Sequence, residues 1–85
     1  MTDISSILAE REKTHGHFGD VSLVSQNLKL VLRSGPSWSS MSDRQKEAAE
    51  AICGKLARLV CGDPGHPDHF LDVGGYAHLG AGHQT

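Results

Sequence analysis

A chain of 85 residues has room for one domain with a small core, and its stability is marginal unless something supplements that core; oligomerisation is the expected supplement. A formal charge of −2 offers no broad basic footprint, which argues against double-stranded nucleic acid as a partner and confines any anion site to a local cluster. No apolar run reaches the roughly 20 residues of a membrane span, and the start at Met1 lacks the basic and apolar regions of a signal peptide, so the expected setting is soluble and cytoplasmic with no membrane partner.

In chain order, Thr2 or Asp3 can cap a first helix whose Ile4, Ile7 and Leu8 form an apolar stripe. Glu10, Arg11, Glu12 and Lys13 are its solvated side, and Gly16 should end it. The run from Lys13 to Asp20, in which two glycines bracket Phe18, predicts a tight structured loop. Asp20 or Ser22 then caps a second helix on which Val21, Val24, Leu28 and Val31 or Leu32 recur at helical spacing. Leu23 and Leu30 lie off that stripe, so this helix is apolar around more than half its girth and is a candidate partner surface.

Gly35-Pro36 ends the second helix, and Trp38 in the following linker is expected to plug the end of the bundle, with stacking on a base as its functional alternative. Ser42-Asp-Arg-Gln45 is a capping box that sets the start of the third helix. That helix should run to about Val60, with Ala49, Ile52, Cys53, Leu56, Leu59 and Val60 inward and Gly62 as terminator. Cys53 and Cys61, eight residues apart on it, are separated by about 12 Å of helix, so both are read as reduced thiols. Asp63-Pro-Gly-His-Pro67 cannot continue a helix. Asp68 can cap a fourth, whose apolar side is Phe70, Val73, Ala77 and Leu79. Gly74 and Gly75 cost this helix roughly 1 kcal/mol each relative to alanine, which predicts close approach of another helix or a ligand. The expected fold is all-α, a small antiparallel bundle of three to four helices in one domain over residues 1–80, with 81–85 as a frayed tail.

Charge that could do chemistry is concentrated on the third and fourth helices. Glu47 and Glu50 share one face, as do Lys55 and Arg58; acids early and bases late also suit the helix dipole, which is the plain structural reading. Asp68, Asp72 and Tyr76 fall at successive four-residue steps. If the two helices pack antiparallel, that stripe lies beside Lys55 and Arg58. Asp72 then either pairs with Arg58 or Lys55 and pins the hairpin, or joins the other acids around a divalent cation while the bases hold a phosphate. His15 and His17 flank Gly16, and with Lys13, Phe18 and Asp20 could furnish one wall of a ligand pocket. His66 and His69 are too isolated from other soft ligands to suggest zinc. No Walker-type loop, dinucleotide fingerprint or Ser-His-Asp order is present.

Ile7-Leu-Ala-Glu-Arg-Glu-Lys-Thr-His-Gly-His-Phe-Gly-Asp20, Lys55-Leu-Ala-Arg-Leu59, Gly62-Asp-Pro-Gly-His-Pro-Asp-His-Phe-Leu-Asp72 and Gly75-Tyr-Ala77 together resemble a family of small phage and prophage proteins known as a domain of unknown function. That resemblance covers nearly the whole chain and implies an all-helical phage protein, without supplying an activity. A looser similarity reaches the MazG-like all-α nucleoside triphosphate pyrophosphatases, which hold magnesium with paired acids on consecutive helices. It implies Glu47, Glu50, Asp68 and Asp72 as metal ligands and Mg2+ as cofactor. The second pair here is Asp-x-x-x-Asp, and Lys46 stands where a further glutamate is usual.

Three functions are therefore open at this stage. The first is a homo-oligomeric phage protein that binds a nucleotide or other phosphate-bearing ligand and sequesters it from host immune signalling, an anti-defence role. Its site would use Lys55 and Arg58 for phosphate, Tyr76, Phe18 or Trp38 for stacking, and Asp72 or His15 at the sugar or base edge, with Asp20 in the pocket wall. The second is a magnesium-dependent pyrophosphatase, and the third a non-catalytic interaction module.

Overall fold

A computed structural model describes residues 3–82. Four helices follow one another: α1 (Ile4–His15), α2 (Phe18–Arg33), α3 (Asp43–Cys61) and α4 (Asp68–Gly80), with a 3-10 turn at Trp38–Ser40 between α2 and α3. No strand occurs among the described residues, and the fold is the expected all-α bundle. None of the helices is long and apolar enough to cross a membrane. Residues 83–85 of the expected tail lie outside the described residues.

Local chemistry explains where each helix begins. Asp3 caps α1 by accepting the Ser5 N–H at 3.3 Å. The Ser42 hydroxyl accepts the Gln45 N–H at 3.1 Å while the Gln45 side chain accepts the Ser42 N–H at 2.9 Å, which is the reciprocal box read from the sequence. Two starts differ from expectation. α2 begins at Phe18, ahead of Asp20 and Ser22, because His17 Nδ1 accepts the Gly19 N–H at 3.1 Å and does the work of a capping carboxylate. The expected loop from Lys13 to Asp20 thus shrinks to Gly16 and His17, and Asp20 falls in the first turn of α2, where its charge suits the dipole. At α4, Pro67 occupies the cap position and Asp68 is already helical, its N–H donated to His66 Nδ1 at 3.3 Å.

α3 is the centre of the bundle. α4 returns antiparallel along it: Lys55 Nζ meets Asp72 at 2.9 Å near the hinge, and at the far end a Cβ on Gly80 would come within 2.8 Å of the Ala48 Cβ. α2 is antiparallel on another side, with Arg33 Nη2 on Glu50 Oε1 at 2.7 Å and Ser25 facing Gly54. Among the described residues the buried hydrophobic ones are Val21, Ala48, Cys53 and Ala57. Small side chains on α3 therefore mark its deepest positions, and Val60, expected inward, is exposed. On α4 the inward positions are also shifted. His69 is 2 % exposed whereas Phe70 is 62 % exposed, because the imidazole, and not the neighbouring phenyl ring, finds a partner on α1.

That partner is the Thr14 carbonyl, which accepts from His69 Nε2 at 3.1 Å and from the Asp63 N–H at 2.9 Å. Two glycines make the approach possible. Gly16 has φ 87°, and a Cβ there would lie 2.5 Å from the Cys61 carbonyl carbon; one on Gly62 would lie 2.6 Å from the His15 carbonyl carbon. The α1–α2 and α3–α4 junctions thus cross backbone against backbone. Gly74 and Gly75 behave differently from expectation, since nothing lies within 4 Å of a Cβ added to either.

These contrasts set opposite signs for one substitution. Gly16→Ala and Gly62→Ala should each lower unfolding free energy by about 2–3 kcal/mol, through strain and overpacking. Gly74→Ala and Gly75→Ala should each raise it by about 0.5–1 kcal/mol, through helix propensity alone. Urea denaturation of the four variants measures both signs, and equal effects at the two pairs would contradict the crossing.

Candidate functional site

A cleft of about 430 Å³ runs between α2 and α3. Phe18 stands in its wall from the start of α2 and Tyr76 from α4. Ser22, Ser25 and Gln26 supply neutral hydrogen-bonding groups along α2. Its floor exists because Gly54 lacks a side chain: an added Cβ would sit 3.3 Å from Arg58 Nη1 and 3.9 Å from the Ser25 hydroxyl. The Arg58 guanidinium accordingly lies back over the preceding turn of its own helix, inside the cleft.

Pairing decides which charges in this cleft are available. Glu50 is engaged by Arg33, whose hydrogen bond holds its carboxyl below the usual range. Lys55, also in the wall, is engaged by Asp72, and that hydrogen bond lowers the Asp72 carboxyl likewise. Of the two partners left open in the sequence, Asp72 takes Lys55 and not Arg58. Arg58 and Lys29 are left with no carboxylate in ion-pair contact among the described residues; the unpaired acids near them are Glu47 in the cleft and Glu12 in a neighbouring hollow that Arg58 also lines, and Lys29 acts on Glu50 at longer range. A polar hollow with two uncommitted cations at its end and floor favours an anion.

A second hollow of about 290 Å³ shares Phe18, Val21 and Arg58 with the first and adds Leu8, Arg11, Glu12 and His15 from α1. His15 Nδ1 is buried there with no hydrogen-bond partner. Its ring packs edge-on against His69 at 5.6 Å between centroids, and His69 likewise against His66 at 5.9 Å. Burial lowers the His15 pKa first, and Arg11, Arg58, His69 and Lys55 lower it further by repulsion. The positive potential that discourages a proton on His15 is the same one that would attract an anion to Arg58.

The residues singled out in the sequence are only partly gathered. Lys55, Arg58, Tyr76 and Phe18 line the main cleft together with Glu47 and Glu50. Asp72 lies beyond it, in a shallow hollow of about 320 Å³ with Lys55 and Tyr76, and His15 belongs to the α1 side. Asp20 lines none of these three hollows, nor does Trp38, which sits beneath Lys46 Nζ at 5.9 Å from the ring centroid. The magnesium quartet does not assemble. Glu47 and Glu50 are in the cleft, Asp72 is paired with Lys55, and Asp68 is at the start of α4 with His66 Nδ1 3.9 Å from its carboxylate. Among the described residues no group of three or more histidine, cysteine, aspartate or glutamate side chains could hold a metal ion. Cys53 and Cys61 are free thiols, and burial pushes the Cys53 thiol up, away from reactivity. Ser25, Lys29 and Gly54 belong to the site although nothing in the motif pattern marked them; the one available signal was a glycine in mid-helix, where it is unfavourable.

Comparison with protein families, curated proteins and solved structures finds no match to this chain. The reading of the site therefore rests on its own geometry.

The depressed His15 pKa has a testable sign. As pH falls below the ordinary histidine value of 6.5, the unfolded chain takes up this proton before the folded one does, so stability is complete above that value and declines beneath it. The urea midpoint should fall on acidification below pH 6.5. His15→Leu should flatten that part of the profile, and an equally steep profile in the variant would remove His15 as the cause.

Proposed function

We propose that this protein binds a small phosphate-bearing ligand of the nucleotide class in the α2–α3 cleft. The observation that carries the reading is Arg58: a guanidinium held inside a concavity by the room left at Gly54, with no carboxylate in ion-pair contact among the described residues. Arg58 supplies a planar fork for phosphate and Lys29 a second positive charge. Phe18 and Tyr76 offer ring faces at which a base can stack, and Gln26, Ser22 and Glu47 offer hydrogen-bonding groups for its edge or the sugar. Lys55 contributes less directly, since it must share its charge with Asp72.

Retention of the ligand is favoured over hydrolysis. Phosphoanhydride cleavage of the MazG type needs carboxylates converging on metal and water, and here the four acids are divided between the cleft and α4. Retention without turnover amounts to sequestration, in which an intact signalling nucleotide is withheld from its pathway.

Isothermal titration against linear and cyclic nucleotides, with and without magnesium, followed by chromatography of the recovered ligand, tests this reading. The expected result is binding of a phosphate-bearing member with the ligand returned intact. Arg58→Met should weaken that binding by about ten- to a hundredfold, the equivalent of one charged hydrogen-bond set. No binding across the panel, or unchanged affinity in the variant, would contradict the proposal; magnesium-dependent release of pyrophosphate would replace it with the enzyme.

A further inference from the structure

We infer that the ligand carries at least two linked phosphoryl groups, one held by Arg58 with Lys29 in the α2–α3 cleft and the next by Arg11 with Arg58 in the hollow on the α1 side. The inference rests on the reading of the cleft given above and narrows it to nucleoside diphosphates and triphosphates.

Arg11 is the residue that points this way. In the sequence it belongs to the solvated side of α1, with Glu10, Glu12 and Lys13. In the fold Lys13 Nζ takes Glu10 at 2.9 Å, whereas Arg11 has no carboxylate in ion-pair contact among the described residues. It stands in the wall of the 290 Å³ hollow, and Arg58 stands in the same wall. Two guanidinium groups from different helices therefore line one concavity, opposed there by a single carboxylate, Glu12. Like charges gathered in this way repel, and an anion between them turns that repulsion into attraction. His15 shows that the two act on one place: after its own burial, Arg11 and then Arg58 are what most oppose a proton on its ring.

The cleft and the hollow form one path. Arg58, Phe18 and Val21 line both, so a ligand that passes from one to the other crosses Arg58. A guanidinium suits that position because its N–H donors point out along more than one edge of a plane and can serve oxygens on two neighbouring groups. Along this path the unpaired cations are Lys29, Arg58 and Arg11, and the unpaired acids are Glu47 and Glu12. The chain as a whole carries −2, so the excess of positive charge is local to the path. A monophosphate on Arg58 and Lys29 leaves Arg11 unused, and a second phosphoryl group engages it.

Isothermal titration of the whole chain with inorganic phosphate and with inorganic pyrophosphate, in chelator at constant ionic strength, tests the inference. Wild type should bind pyrophosphate at least about tenfold more tightly than phosphate, the equivalent of one further charged hydrogen bond. Arg11→Met should remove most of that preference while leaving phosphate affinity within roughly twofold, since exposed charges are screened beyond a Debye length. Lys13→Met takes the same charge from the same helix outside the hollow and should keep the preference. Circular dichroism checks that each variant is folded. Equal wild-type affinity for the two probes, a preference that survives Arg11→Met, or one lost equally in Lys13→Met would overturn the inference, while phosphate binding that Arg58→Met weakens would leave the reading of the cleft standing. Binding of neither probe would overturn both.

Discussion

The Thr14 carbonyl is the point on which the molecule turns. It closes α1, yet it receives the Asp63 N–H from the α3–α4 connection and the His69 imidazole from α4. A carbonyl at a helix C-terminus has no intrahelical donor, so these two bonds satisfy it with groups from the other half of the chain. They form only because Gly16 and Gly62 let the two connections touch. One acceptor thus fixes where α1 ends, how α4 returns, and which face α4 turns toward the bundle.

The functional surface follows from that arrangement. With α4 held antiparallel to α3, Asp72 reaches Lys55 and removes it from competition with Arg58. With α2 emerging directly from the crossing, Phe18 and Val21 come to flank Arg58. The basic groups of α1 and α3 then surround His15, and the uncommitted positive charge of the site results. The core beneath is thin: alanine and cysteine at Ala48, Cys53 and Ala57 bring helices close but bury little apolar area per residue. Close backbone approach and a few specific polar bonds carry more of this fold than a large hydrophobic interior does.

What could be read from the sequence was whatever depends on neighbours a few residues apart. The capping box at Ser42 and Gln45 and the stops at Gly16 and Gly62 are of this kind, whereas the partner of Asp72 stayed open between Arg58 and Lys55 until the packing of α4 on α3 selected Lys55. What depends on contacts distant along the chain was not legible. His69, set aside in the sequence as a zinc ligand, shows no use until the Thr14 carbonyl, 55 residues away, is beside it; Phe70 then has to point outward. His17 reads as part of a loop because histidine caps are less common than aspartate or serine ones. Gly54 shows only its unfavourable place in mid-helix until Arg58 is seen lying across it, whereas Gly74 and Gly75, which looked more purposeful, face open space.

The most direct measurement is a 15N-resolved NMR titration of the protein with a nucleotide monophosphate, read residue by residue. Shift changes should concentrate at Phe18, Ser25, Lys29, Gly54 and Arg58, with the Arg58 side-chain resonance among the first to move. Changes centred on Asp68 and Asp72, or none at any concentration, would contradict the claim that the cleft between α2 and α3 is a phosphate-binding site.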